Sequence, residues 1–205
     1  MCAHYFAYTE ADLVEIQKVI EDWNKTVFKA VKLATGDVFP GNIAPIVTKD
    51  GWQPMKWGWL RKERDTLVRH VRSETATVKF QEDMAYRRCL VPATHFYEYE
   101  TADDQLSMFG NLAGCGTPKS KTARKVKVLF TLPGNAAFHL AGLYSYHLLD
   151  GMIIPHFAVM TAEANISVSG IHDRMPVVLH GEESSGWLER AVLPENLPLL
   201  DKRIA

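Results

Sequence analysis

The sequence has too few cysteines to be stapled by disulfides and too little excess charge to coat a polyanion. Only Cys2, Cys89 and Cys115 carry thiols among 205 residues. An odd, widely spaced set is neither a disulfide framework nor a CxxC zinc pattern, and it fits a reducing compartment. The 23 Lys+Arg against 24 Asp+Glu leave a formal net charge of −1. That argues against coating nucleic acid by charge alone, while leaving room for a local basic groove. No apolar run reaches the roughly 18 residues of a membrane-spanning helix. The start, Met1-Cys2-Ala3-His4-Tyr5-Phe6, lacks the basic opening and apolar stretch of a signal peptide. There is no repeat and no low-complexity block. These absences predict a cytoplasmic protein with no membrane partner.

What is present is apolar surface enough for a core. Hydrophobic residues make up 47% of the chain, which suits one domain over residues 1–205. Thr9 to Trp23 reads as a helix: Thr9 is an N-cap candidate with Asp12 three residues on, and Leu13, Ile16, Ile20 and Trp23 recur at helical spacing. Ala34 to Ile46 holds Gly36, Pro40, Gly41 and Pro45 and reads largely as loop and turn. A second helix is expected from Thr75 to Tyr86 and a third from Glu182 to Arg190. Strands are expected over Cys89–Tyr99, Val126–Leu132, Phe138–Tyr146, Ile153–Thr161 and Val177–Leu179. Strands outnumber helices without regular alternation, which points to an α+β fold.

The chemistry begins at Cys2. If Met1 is removed, this cysteine presents a thiol and an α-amine on adjacent carbons. An amine with a reference pKa of about 8 adds to aldehydes, and the thiolate can then close a five-membered thiazolidine. Further along, Phe96-Tyr97-Glu98-Tyr99 puts Glu98 on the strand face opposite Tyr97 and Tyr99. It either points to water or points inward, where burial would raise its pKa and suit it to acid–base work. Ile171-His172-Asp173-Arg174-Met175-Pro176 reads as a rigid polar turn that could cap neighbouring backbone or carry a reactive histidine. Asn42-Ile43-Ala44-Pro45, Trp57-Gly58 and His70-Val71-Arg72-Ser73-Glu74-Thr75 complete the set. Lys119 to Lys127 holds five bases and no acid.

In this order the motifs resemble the SRAP family (SOS-response-associated peptidase), over residues 1 to about 190. The resemblance implies an SRAP-like fold, with mixed and antiparallel sheets curled into a barrel-like core under peripheral helices. Residues 191–205 would form a tail. It implies a monomer that acts without cofactor or metal on abasic sites in single-stranded DNA and forms a thiazolidine crosslink through Cys2. By the same resemblance Cys2, His70, Glu98 and His172 are catalytic, and His4, Asn42, Pro45, Arg72, Tyr99 and Arg174 face the DNA. Three positions depart from the family pattern. Ala3 replaces a glycine, His4 an arginine and His70 an asparagine. A neutral imidazole can donate or accept a hydrogen bond, so His70 can partly substitute and makes activity more dependent on pH. The competing readings are a non-catalytic single-stranded DNA-binding module and a cysteine peptidase or amidase using Cys2, His172 and Glu98.

Overall fold

The structure is a computed structural model that describes residues 4–7, 17, 21, 33–34, 36–61, 66–101, 125–149 and 151–205. In chain order its elements are β1 (His4–Phe6), β2 (Asp37–Val38), β3 (Ile43–Thr48), β4 (Gly51–Trp57), β5 (Trp59–Arg61), β6 (Thr66–Val68) and β7 (His70–Arg72). Helices α1 (Ser73–Lys79) and α2 (Gln81–Tyr86) follow, then β8 (Arg88–Ala93), β9 (His95–Thr101), β10 (Lys125–Thr131), β11 (Phe138–Leu149) and β12 (Met152–Glu163). The chain closes with β13 (Arg174–Pro176), β14 (Val178–Leu179), α3 (Glu182–Arg190) and β15 (Asp201–Ile204).

Five strands form a ring. The order β12–β4–β3–β8–β11 returns to β12 because β11 and β12 also pair, from Gly142↔Val159 to Leu149↔Met152. The β4–β12 contact is parallel and the other ring contacts are antiparallel. Closure removes the sheet edges that would otherwise invite pairing with other chains. The short strands β7, β13 and β14 extend the ring by pairing with β12, β12 and β11. A second, antiparallel sheet runs β15–β10–β9–β1–β2. This is the mixed α+β, barrel-like architecture expected from the sequence.

Strand alternation divides the apolar residues between two cores. Cys89, Val91, Leu140, Phe157 and Val159 face one side and join Tyr5, Phe96 and Phe130 of the second sheet. Leu90, Ala141, Leu143, Ala158 and Met160 face the other, where Ala76 of α1 and Trp187 of α3 cover them. Two hydrogen-bonded side chains lock that cover. Trp187 Nε1 donates to the Cys89 carbonyl at 3.0 Å. The Arg88 guanidinium donates to the carbonyls of Ala85 (2.8 Å), Trp187 (2.8 Å) and Leu188 (2.7 Å), satisfying carbonyls at the ends of two helices with one cation.

Several expectations change. The run Cys89–Tyr99 is two strands in two different sheets. The chain turns at Thr94, whose amide donates to the Phe6 carbonyl at 3.1 Å and whose hydroxyl meets His95 Nδ1 at 3.1 Å. Ala34–Ile46 is loop and turn only in part: strands occupy 37–38 and 43–46, and β3 runs straight through Pro45. That proline lies opposite Pro54, so the two missing N–H donors coincide at one rung of the ladder. The helix expected over Thr75–Tyr86 is broken at Phe80 (φ −134°, ψ 42°), whose ring packs edge-on to Trp59 at 6.2 Å. The tail ends in β15, an added edge strand on β10. Asn165 clasps the approach to it, donating to the carbonyls of Leu197 (3.2 Å) and Pro198 (2.8 Å). Apart from Gln17 and Glu21, both helical, the helix expected over Thr9–Trp23 lies outside the described residues.

Candidate active site

Strand β9 lies between β1 and β10, so its side chains meet neighbours from both flanks. The register pairs His4 with Tyr97, Tyr5 with Phe96, and Val128 with Glu98. Paired residues share a face, so Glu98 stands with Phe96 and Tyr5 on the core side. Its side chain is 3% exposed. Of the two sequence readings of Glu98, the structure therefore selects the inward one. Burial pushes its carboxyl above the usual range, His172 draws it back down, and Asp173 pushes it up again.

His172 reaches this neighbourhood from the turn before β13. The turn is tied at both ends: His172 N donates to the Val168 carbonyl (3.1 Å) and Ala164 N to the Asp173 carbonyl (3.0 Å). The Arg174 amide lies 2.9 Å from His172 Nδ1. The Asp173 carboxylate stands 2.7 Å from the same Nδ1. The side chain is 32% exposed. A buried carboxyl and a solvent-touching imidazole thus sit within electrostatic reach, the pairing that acid–base catalysis uses.

The remaining expected residues divide sharply. Arg72 is exposed at the start of α1, available to a phosphate. Arg174 is not: its guanidinium grips both oxygens of Glu74 (2.7 and 2.9 Å) and the Thr161 carbonyl (2.7 Å), with 13% of its side chain exposed. It binds β13 to α1 and β12, a bidentate ion pair in place of a DNA contact. Pro45 is buried in β3 and cannot present its ring outward. His70 is half-buried on β7, beside Val159, with its ring edge-on to Trp57 at 5.9 Å. Cys2 and Ala3 lie outside the described residues, as do Lys119 to Arg124 of the basic run.

His4 also departs from its expected part as a DNA contact. It is 1% exposed, stacked between Phe39 (4.5 Å, 18°) and Tyr97 (4.1 Å, 21°). Asp37 Oδ1 lies 3.8 Å from its Nε2. Burial and the Lys127 charge lower its pKa, against the opposing pull of Asp37. Asn42 serves the same assembly from behind. Its Oδ1 accepts the Phe39 amide at 3.0 Å, and its carbonyl accepts the Trp57 amide at 2.8 Å. Tyr99 remains outward, 43% exposed, 6.5 Å from the His4 ring.

Sequence reading missed Phe39, Tyr97, Lys127 and Asp173. Phe39 fell in a segment read as loop, and Lys127 was one of several bases with nothing to separate it. The alternation that placed Tyr97 opposite Glu98 was a usable signal for that residue. Among the described residues no cluster of three or more His, Cys, Asp or Glu could hold a metal ion, and no helix is long and apolar enough to cross a membrane.

Comparison with known proteins gives a consistent set. Residues 1–202 match the family described as SOS response associated peptidase (SRAP). The abasic site processing protein YoqW of Bacillus subtilis (strain 168) is 28% identical over 92% of this chain and 80% of its own. YobE of the same organism, likewise named an abasic site processing protein, is 27% identical over 92% and 82%. Crystal structures of proteins from Bacteroides thetaiotaomicron and Bordetella bronchiseptica share the fold. Their TM-scores are 0.72 and 0.68 at 21% and 20% identity, covering 99% and 100% of this chain and 91% and 99% of theirs.

Proposed function

Because the chain belongs to the SOS response associated peptidase (SRAP) family, we propose that it processes abasic sites in single-stranded DNA by forming a covalent crosslink through Cys2. The observation that carries this reading is the buried Glu98 with His172 beside it, on a strand paired with the one that continues from Cys2. Only Ala3 separates Cys2 from His4, so covalent geometry keeps their Cα atoms within about 7 Å whatever the local conformation.

The steps balance without a cofactor. The Cys2 amine, exposed by loss of Met1, adds to the C1′ aldehyde of the ring-opened sugar and gives a carbinolamine. Loss of its hydroxyl as water yields the imine. The thiolate then adds to the imine carbon, the nitrogen takes up a proton, and the thiazolidine closes. Glu98, whose carboxyl burial pushes above its usual range, donates to the departing hydroxyl. His172 accepts the proton that the attacking amine sheds and returns one to the thiazolidine nitrogen. Arg72 supplies a phosphate contact at the rim. His70 takes the place of the family asparagine beside the sugar.

The test is intact-mass spectrometry of the Met1-processed protein with a single-stranded oligonucleotide bearing one abasic site. The expected result is an adduct at the summed mass less one water, absent in Cys2→Ala and in protein carrying extra residues before Cys2. No adduct at any pH from 5 to 9, about the span over which the amine and carboxyl titrate, would overturn the reading. A second reading, DNA binding without chemistry, has one observation in its favour: His70 turns its ring against Trp57. Salt-sensitive binding with no adduct would select it.

A further inference from the structure

The outer face of β9 carries an assembly that the crosslinking chemistry does not use. His4 and Lys127 approach Tyr97 from strands on opposite sides of β9, so they cover opposite faces of its ring. The Lys127 ammonium stands 3.7 Å from the ring centroid, a close cation–π contact. Phe39 covers the other face of His4. The result is one column, in the order Phe39, His4, Tyr97, Lys127. Its inner members are buried: His4 is 1% and Tyr97 7% exposed.

Phe39 ends the column and is 46% exposed. A phenyl ring so open to water costs free energy, yet the fold fixes it there. The Asn42 side chain holds its amide, Gly41 N donates to the Trp57 carbonyl at 2.8 Å, and His4 backs its inner face. Tyr99, the other exposed aromatic on this face of β9, lies beside the same histidine. His4, an inner member of the column, lies two positions along the chain from Cys2, and a basic stretch ends at Lys127.

We infer that Phe39 is a base-stacking platform for single-stranded DNA beside the crosslinking cysteine, with its outer face taking a nucleobase next to the lesion. This rests on the proposed function, since the occupant is the same strand. The column explains how the chain manages with a buried His4 where the family has an arginine. An electrostatic contact with phosphate is replaced by a stacking contact with a base. Stacking tolerates every base and releases no counterions.

The experiment measures non-covalent binding of a fluorescent single-stranded oligonucleotide to Cys2→Ala protein across a salt series, in the parent and in Phe39→Leu and Phe39→Trp. Phe39→Leu should weaken binding about 5- to 100-fold, with the slope of log K against log salt unchanged. Phe39→Trp should bind as well as the parent or better. In protein with Cys2 intact, Phe39→Leu should raise the DNA concentration needed for half-maximal adduct rate and leave the saturated rate alone. Binding of Phe39→Leu within twofold of the parent would overturn the inference, as would a change in its salt slope or a failure of Phe39→Trp to restore binding. A parent that binds no single-stranded DNA sinks the proposed function as well. A parent that binds and crosslinks while Phe39→Leu behaves identically sinks this inference alone.

Discussion

The two faces of β9 solve opposite problems with adjacent residues. Glu98 points into the core, where apolar neighbours make its charge expensive. Tyr97 and His95 point the other way, into a layer of stacked rings with a 2.8 Å hydrogen bond from the Tyr97 hydroxyl to His95 Nε2 or the reverse. On the inner face burial raises a carboxyl, and on the outer face burial lowers the His4 and His95 imidazoles. Glu98 on the inner face and His4 and His95 on the outer face are thus all shifted towards their neutral forms. In the proposed reading the inner face gains a proton donor from this and the outer face a platform. One strand does both because its side-chain period is two.

The comparison breaks most visibly at Glu98. Glu98→Gln should slow adduct formation by about 10²-fold or more, read by mass spectrometry under single-turnover conditions. The same change keeps the side chain's size and leaves it neutral, so the melting temperature should shift by no more than about 2–4 °C. A loss of rate accompanied by a larger fall in melting temperature would mean that the carboxylate holds the fold instead of the chemistry.

On the outer face the largest effect should come from Tyr97. Tyr97→Ala empties the middle of the column and should cost about 3 kcal/mol in urea unfolding. Tyr97→Phe keeps the stack and loses only the bond to His95, about 1 kcal/mol. Equal costs for the two would show that the hydroxyl, and not the stack, holds this face.

Arg72 and Arg174 sharpen the comparison at the rim. Arg174→Gln should destabilise the protein by about 2 kcal/mol while leaving the salt dependence of DNA binding unchanged, because its guanidinium is already spent on Glu74 and Thr161. Arg72→Gln should leave the melting temperature alone and reduce the salt slope by about 1. Exchange of these two outcomes would reverse the assignment.

The smallest effect is one of pH. A histidine whose folded pKa lies below 6.5 binds its proton more readily when unfolded. Its contribution is intact above pH 6.5 and is lost as pH falls towards its folded value. His4 and His95 share this sign, and so does His156 on β12, where burial lowers the pKa to about 4. Glu98 has the opposite dependence: its raised carboxyl costs stability as pH rises through its folded pKa. Stability should therefore decline between pH 6.5 and about 4, and His156→Gln should flatten that decline in urea titrations. The adduct rate should level off between the Glu98 pKa and the amine pKa of about 8 and fall beyond it, and Glu98→Gln should remove that basic limb, because the protonated carboxyl is the form that donates.

Short-range pattern made much of this legible. The helix at Glu182–Arg190 and the strands around β10, β11 and β12 follow from apolar runs bounded by turn residues, and the structure has them at or near those limits. The break at Thr94 was not legible. Nothing local marks it, because it arises from the Phe6 carbonyl, which is distant in sequence and claims the Thr94 amide. Pro45 misled for a related reason. Proline signals a turn, and only its cross-strand partner Pro54 makes it tolerable inside a strand. Arg174 looked available because charge is visible in a sequence and its partner Glu74 is not.

What the sequence alone determined was the set of reactive residue types and their order along the chain: a cysteine at position 2, a carboxylate in an aromatic strand, a histidine before a proline turn. These depend on residue type and spacing, which need no fold. Only the tertiary structure decided which way Glu98 points and that His4 is closed off between Phe39 and Tyr97. It also decided that Arg174 is spent on Glu74. Burial and pairing are properties of what packs against a residue, and in a closed ring of strands those neighbours come from far along the chain.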